Sequence, residues 1–403
     1  NLPKIKGSLS DGLLKALDTT SKVEKKAETT NTKAYELYLK AKHTYEKRTD
    51  THDTETARGL LRQAIELDDN LIAAKWLLGN TYLFTGDYDE AMEIYTPALK
   101  QAEKLDDKVG IANTLNSIGN MHYLTGKYDK AIECFDSSMK MQEKLGNKSG
   151  AATALHNIAV VYRYRGKYEK AREYFDKSLK ISEELDDNAL IIHTLVNIGF
   201  IHWLKGTYGK ALDYYDRSMK IQKKVYDDDK FMGNTLLKIG LVYYNIGDYG
   251  KAMDYNSRAL MISEALGDKA GIVYSYHLFG LVHYNKRDYN KAVDYLEKSI
   301  SIQKELGLKE VELYTTTYLY LTYTHLGKSY GEDILTLIQN TENIEFEENF
   351  RLYQLLDDTT YLDTAYTQVQ EKSSDMEENV SKKFFSYPIP KAIVEEWEKV
   401  NKK

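Results

Sequence analysis

The stretch that decides the fold is residues 78–95, which read LGNTYLFTGDYDEAMEIY. The same pattern returns as IGNMHYLTGKYDKAIECF at 118–135 and as IAVVYRYRGKYEKAREYF at 158–175. Its most constant element is a turn of the form Gly-x-Tyr, followed three residues later by alanine. The sequence therefore contains a repeat of 40 or 41 residues, marked by the turn residues Tyr88, Tyr128, Tyr168, Tyr208, Tyr249 and Tyr289.

Each repeat predicts two amphipathic helices, here called helix A and helix B, joined at this turn. Ile111, Leu115 and Ile118 recur at helical spacing before one turn, and Phe135 and Met139 do so after it. A small residue twelve positions before each alanine allows the two helices to approach closely. These small residues are Gly79, Gly119, Ala159, Gly199, Gly240 and Gly280.

These residues resemble the tetratricopeptide repeat family. Leu78-Gly79-Asn80-Thr81-Tyr82, followed by Ala91 and Tyr95, matches the family signature residue by residue. The forty-residue period and the Leu-Gly-Asp/Asn-Lys connector are similar to the long-linker subclass found in signalling adaptors. The resemblance covers residues 34–306 and implies an all-α fold, a right-handed superhelical solenoid of helix-turn-helix repeats.

Three parts are predicted along the chain. Residues 1–32 predict a junction helix over positions 9–17 and a polar linker, and residues 33–310 predict an array of about seven repeats. Residues 311–403 predict a degenerate repeat and C-terminal capping helices, because the turn at Gly327 is one residue longer and Asp333 replaces the alanine.

Composition excludes several classes of protein. The chain has 403 residues and a net charge of −6, and its basic residues are scattered among acidic ones, so nucleic acid is not an expected partner. No stretch approaches about eighteen consecutive apolar residues, so we expect no membrane span. The single cysteine, Cys134, excludes a disulfide within the chain and a thiolate metal cluster. We expect a cytoplasmic monomer, with self-association left open.

Motifs for catalysis are not found in the sequence. It has no phosphate-binding glycine loop, no G-x-S-x-G and no H-E-x-x-H. His122, His202 and His283 occupy the helix A position that holds tyrosine in other repeats, which favours a packing role for these rings. We expect no catalytic residue, no cofactor and no metal site.

A surface for a partner follows from the resemblance, in which successive A helices line the concave side of the solenoid. Offsets from the small residue indicate the side chains that line this groove. Its first half is rich in amides and its second half is apolar and aromatic, which suits an extended peptide or a partner helix. Packing between adjacent helices is the alternative for Trp203, Tyr244 and Tyr284. The candidate binding residues are Trp76, Asn80, Asn113, Asn116, Asn120, Tyr123, His156, Arg163, Phe200, Trp203, Tyr244, His277 and Tyr284.

The sequence therefore predicts a protein–protein interaction scaffold without catalysis. The chain begins with Asn1, and its junction helix over positions 9–17 and its segment Tyr387-Pro388-Ile389-Pro390 resemble the ends of repeat regions in bacterial cyclase and TolB-like regulators. A more specific hypothesis is therefore the regulatory or adaptor region of a larger bacterial signalling protein. A free-standing adaptor is the alternative. A metal- or small-molecule-dependent enzyme that uses the histidines is a remote one.

Overall fold

The computed structural model describes residues 31–48, 51–226, 232–306, 312–329, 334–341, 344–374 and 376–401. The junction helix predicted over residues 9–17 lies outside these ranges. The described residues divide into two compact units, with the boundary between Leu190 and Ile191. This boundary falls inside the predicted array, and the three-part division of the chain stays a prediction.

Unit 1 contains four helix pairs within the described ranges, each an A helix followed by a B helix. The prediction of paired helices joined at the Gly-x-Tyr turns is confirmed for the last three of these pairs. The pairs are α1 Thr32–Glu46 with α2 Thr51–Leu67, α3 Ile72–Thr85 with α4 Tyr88–Leu105, α5 Lys108–Leu124 with α6 Tyr128–Lys144, and α7 Lys148–Tyr164 with α8 Tyr168–Glu184.

Unit 2 begins with three further pairs and continues with six more helices in the described part of the chain. No helix in the described residues is long and apolar enough to cross a membrane. The pairs are α9 Asn188–Leu204 with α10 Tyr208–Tyr226, α11 Gly233–Ile246 with α12 Tyr249–Leu266, and α13 Lys269–Asn285 with α14 Tyr289–Leu306. The later helices are α15 Glu312–His325, α16 Ile334–Gln339, α17 Phe346–Leu356, α18 Thr359–Ser374, α19 Glu378–Phe384 and α20 Pro388–Asn401.

Local sequence sets the ends of the repeat helices. Asp107, Asn147 and Asp268 each cap an A helix by accepting a hydrogen bond from the amide three residues on, at 2.9, 3.2 and 3.0 Å. Gly86 and Gly247 end α3 and α11 with φ of 84° and 90°, a left-handed conformation that glycine adopts without steric cost. The period of the sequence and the period of the helices coincide for this reason.

The A and B helices of a pair approach most closely at the small residue. A Cβ atom on Gly119 would lie 2.7 Å from the ring of Phe135, and one on Gly199 would lie 2.6 Å from the ring of Tyr215. Both rings are buried. The ring already fills the space that a side chain would need, so packing requires glycine at these positions.

Gly199→Leu is therefore expected to lower the free energy of unfolding by about 1–3 kcal/mol through overpacking between α9 and α10. The matched control is Gly209→Leu on α10, because a Cβ atom there meets nothing within 4 Å. Leucine has the higher helix propensity, so the control should be neutral or more stable than the wild type by up to about 1 kcal/mol. Thermal and urea unfolding measure both variants, and equal curves for the two would mean that the close approach at Gly199 is wrong.

The helices after residue 311 fold back onto the pairs of unit 2. α17 packs against α15, α18 packs against α17, and α20 packs against α18 and α11. One apolar cluster joins Tyr208 and Tyr215 of α10 to Phe350, Leu362 and Ile393 of α17, α18 and α20. The C-terminal helices thus contact several repeats of unit 2 and not only the last one.

Candidate functional site

The A helices α3, α5 and α7 of unit 1 each present a column of three side chains, because residues four apart lie on one face of a helix. Each of these nine side chains is half-buried or exposed. Together they define the unit 1 face: Trp76, Asn80 and Phe84 on α3, Asn116, Asn120 and Leu124 on α5, and His156, Val160 and Tyr164 on α7.

Asn80 connects the first two columns. Its Oδ1 accepts hydrogen bonds from the Tyr95 hydroxyl at 2.6 Å and from Ser117 Oγ at 2.8 Å, and Trp76 Nε1 donates to Ser117 Oγ at 2.9 Å. Burial raises the pKa of Tyr95, so its hydroxyl stays protonated and donates. The Asn80 amide oxygen is therefore used within the protein, which leaves its NH₂ group for a ligand.

Two other predicted asparagines also use their side-chain oxygen within the protein. Asn116 Oδ1 accepts from Asn157 Nδ2 at 3.1 Å, and Asn113 Oδ1 accepts from Gln142 Nε2 at 3.2 Å. Within the described residues, the half-buried side chain of Asn120 takes part in no hydrogen bond. The unit 1 face thus offers mainly amide donors, with Asn120 as the group that can both donate and accept.

Three exposed apolar side chains end the columns of the unit 1 face. Phe84, Leu124 and Tyr164 are 61%, 50% and 49% exposed, and they occupy the same position in successive A helices. These three residues are not among the candidates predicted from the sequence, although their spacing of 40 residues at the last turn of each A helix is a usable signal. Large apolar side chains that recur on one exposed face are typical of an interaction surface.

Arginine side chains stack on two of these rings. The guanidinium carbon of Arg48 lies 4.0 Å from the ring centre of Phe84, and that of Arg163 lies 4.3 Å from the ring centre of Tyr164. Such contacts orient a cation beside apolar surface. The C-terminal ends of α3 and α7 therefore favour a ligand with both apolar and acidic side chains.

Two further predicted residues of unit 1 are half-buried rings. The edge of Tyr123 meets the ring of Tyr164 at 5.1 Å, and His156 meets the ring of Phe175 at 5.2 Å. Burial raises the pKa of Tyr123. Tyr123 supports the unit 1 face through packing, and His156 is itself part of that face.

In unit 2, the predicted residues on α9 form a stacked aromatic pair. The rings of Phe200 and Trp203 lie 5.2 Å apart and are nearly parallel, and Trp203 Nε1 donates to Asn245 Oδ1 of α11 at 2.6 Å. Lys238 lies 4.5 Å above the Phe200 ring. Both rings stay half-buried.

The predicted residues on α11 and α13 are buried instead. Tyr244 is 3% exposed and Tyr284 is 8% exposed, because α17 covers them. His277 Nδ1 lies 2.9 Å from Thr315 Oγ1 of α15, and burial lowers the pKa of His277 to about 4, so its ring is neutral. These positions are occupied by contacts within the chain.

α17 inserts charged side chains among the A helices α11, α13 and α15. Glu347 Oε1 accepts hydrogen bonds from the hydroxyls of Tyr244 at 2.7 Å and Tyr318 at 2.6 Å. Arg351 donates through Nε to the Tyr318 hydroxyl at 2.9 Å, and through a terminal nitrogen to Asn285 Oδ1 at 3.2 Å. Burial raises the pKa of both tyrosines, which keeps their hydroxyls protonated. We call Tyr244, Asn285 and Tyr318 the unit 2 carboxylate pocket.

The histidines of the A helices take packing positions. His202 stacks on Tyr214 at 5.3 Å and His283 stacks on Tyr295 at 5.5 Å, as Tyr243 stacks on Tyr255 at 5.5 Å. In the part of the chain that the structure describes, no three His, Cys, Asp or Glu side chains converge where they could hold a metal ion.

Four stretches of the chain match a protein-family model. A family model described as "Tetratricopeptide repeat" matches residues 71–144, 150–224, 190–265 and 231–305, which together make up more than half of the chain. No curated protein sequence matches the chain significantly.

Solved structures with similar folds are also found. The chain is similar to a Rap protein complexed with Competence and Sporulation Factor, with 15% identity and a TM-score of 0.56 over 90% of this chain and 99% of that one. It is similar to the quorum sensor NprR from B. thuringiensis, with 18% identity and a TM-score of 0.54 over 90% and 97%. It also resembles a signal transduction ATPase with a tetratricopeptide repeat sensor from Pyrococcus horikoshii, with 18% identity and a TM-score of 0.55 over 92% of this chain and 53% of that one. At these identities the likeness shows the fold.

Proposed function

The chain belongs to the tetratricopeptide repeat family, and from this premise we propose that it is a non-catalytic scaffold that binds an extended segment of a partner protein on the unit 1 face. The observation that carries the proposal is the row of exposed apolar side chains, Phe84, Leu124 and Tyr164, beside amide groups on the same columns. The other candidate residues predicted in unit 1 flank or support this face.

The chemistry of the unit 1 face suits a peptide backbone. The NH₂ groups of Asn80 and Asn116 donate to backbone carbonyls, while Asn120 pairs with a carbonyl and an amide at once. The apolar row supplies contact area for side chains of the ligand. Arg48 and Arg163 lie beside this row and favour an acidic residue in the ligand.

Similar folds supply a context for the proposal. Rap proteins have been solved in complexes with Competence and Sporulation Factor and with the Phr* peptide, and NprR is described as a quorum sensor. We extend this context to the chain as a proposed role in bacterial signalling, as the regulatory or adaptor region of a larger cytoplasmic protein. A free-standing adaptor uses the same face.

The test compares partner recovery by affinity capture and quantitative mass spectrometry. Asn116→Ala combined with Asn120→Ala should reduce recovery of the partner by roughly thirtyfold, because each of the two lost amide contacts contributes about 1 kcal/mol. A second variant, Phe84→Ser with Tyr164→Ser, should reduce it further.

The matched control is Asn234→Ala with Asn290→Ala, since both asparagines are exposed and lie outside the unit 1 face. Circular dichroism must show the same helix content for all variants. Equal recovery by the wild type, the control and both face variants would contradict binding on this face.

A further inference from the structure

α17 lies in unit 2 as a ligand would lie in a groove. Residues 346–352 are buried without interruption, and four of these seven residues are polar or charged. Glu347, Glu348 and Arg351 are 5%, 2% and 5% exposed. Two helical turns that are buried on all sides and carry three ionisable side chains are unusual in a cap, because charged residues are rarely fully buried.

The groups that receive α17 come from three successive A helices. Tyr244 of α11 and Tyr318 of α15 aim their hydroxyls at one carboxylate oxygen of Glu347. Asn285 of α13 links them, since its Nδ2 donates to the Tyr244 hydroxyl at 3.1 Å while its Oδ1 accepts from Arg351. The unit 2 carboxylate pocket therefore recognises a carboxylate and a guanidinium one helical turn apart.

The buried charges of α17 determine which helix fits this site more than they increase the stability of its docking. Burying charged groups costs much of what their attraction returns, and apolar replacements of buried ion pairs are often as stable or more stable. A helix whose whole contact surface was apolar would also leave a large exposed patch whenever it detached. The composition of α17 suits a helix that leaves its site and returns to it.

We propose that α17 is a built-in competitor for the unit 2 carboxylate pocket, and that the pocket binds in trans a partner helix carrying a glutamate and an arginine one turn apart. Binding of the partner displaces α17. The proposal concerns unit 2 and does not depend on ligand binding at the unit 1 face, so either can fail alone.

The probe is a fluorescent synthetic peptide with the sequence of residues 344–357, IEFEENFRLYQLLD. It is titrated by fluorescence anisotropy into the full wild-type chain and into the full chain with Glu347→Lys, which places a cation beside Arg351 and expels α17 while leaving the pocket intact. The peptide should bind the Glu347→Lys chain at least tenfold more tightly than the wild type. A peptide with Glu347→Gln should bind that chain at least tenfold more weakly than the unmodified peptide.

Two controls separate displacement from damage. Glu371→Lys makes the same charge change at an exposed position of α18 and should bind the peptide as weakly as the wild type. Hydrogen exchange should show at least tenfold faster exchange in α17 of the Glu347→Lys chain, with α11 and α13 still protected. A Glu347→Lys chain that stays folded without binding the peptide would overturn the proposal. Loss of α11 and α13 together with α17 would overturn it as well, because α17 would then be permanent core.

Discussion

Arg351→Met is expected to reduce the free energy that holds α17 on unit 2 by about 3–5 kcal/mol. The guanidinium is buried, and it contacts Glu347 through the Tyr318 hydroxyl, which accepts from Arg351 and donates to the carboxylate. Removing the cation leaves the Glu347 carboxylate buried without its counter-charge, which is far more costly than removing both charges. Native-state hydrogen exchange of the α17 amides measures this opening free energy.

A double variant tests whether charge is the cause. Glu347→Gln combined with Arg351→Met leaves neither member of the pair charged and should recover at least half of the loss. Arg258→Met removes an exposed arginine of α12 and should change the opening free energy by no more than about 0.5 kcal/mol. If Arg351→Met exchanges like the wild type, the guanidinium does not hold α17 in place.

Glu348 is expected to make the docking of α17 weaker as pH rises. Burial raises the pKa of its carboxyl from 4.5 to about 8; Thr317 Oγ1 donates to Oε1 at 2.5 Å, and Oε2 has no hydrogen-bond partner among the described residues. The charged and titratable groups that face it are Glu347 and Arg351 on its own helix and Tyr314 on α15.

The direction in which the docking free energy of α17 changes with pH follows from proton binding to Glu348. Between about pH 4.5 and pH 8 the docked state keeps the proton that the undocked state releases, so the docking free energy falls over this range and levels off above pH 8. The total loss is on the order of 5 kcal/mol. Glu348→Gln cannot ionise, so it should match the wild type near pH 4.5 and exceed its stability at pH 8.

Hydrogen exchange of α17 as a function of pH, corrected for the intrinsic exchange rate, measures the effect. Glu371→Gln on the exposed face of α18 is the matched control and should follow the wild-type profile. A flat wild-type profile, or one that rises with pH, would contradict a buried protonated carboxyl at Glu348.

Sequence predicted the repeat architecture well because its determinants are local. The Gly-x-Tyr turns, the caps at Asp107 and Asn147, and the small residues at the close approaches lie within one repeat and recur in the next. No residue from a distant part of the chain is needed to form each helix pair.

The exposed row of the unit 1 face could have been predicted, but the chosen offsets passed over it. Positions three before and one after the small residue lie on one column, and the next member of that column is five after it, where Phe84, Leu124 and Tyr164 stand. The predicted groove instead includes the position four after the small residue, which holds Tyr123 and Arg163.

The burial of Tyr244 and Tyr284 could not be predicted from repeat positions. It depends on the register of α17 against helices far away in the chain, which is set by tertiary contacts such as that between Glu347 and Tyr244. Residues 347–351 do contain a signal, because two adjacent glutamates and an arginine interrupt an otherwise apolar helical face. Only the fold shows that this face is covered.

The separation of Tyr244 and Glu347 also has a consequence for protein synthesis. The tyrosine precedes its carboxylate partner by 103 residues. At about 5–20 residues per second, the ribosome completes α11 roughly 5–20 seconds before it reaches Glu347. During that interval the nascent chain has no competitor of its own for Tyr244. Tyr318 completes the unit 2 carboxylate pocket and precedes Glu347 by 29 residues, so a partner helix meets the whole pocket without its competitor for roughly 1.5–6 seconds.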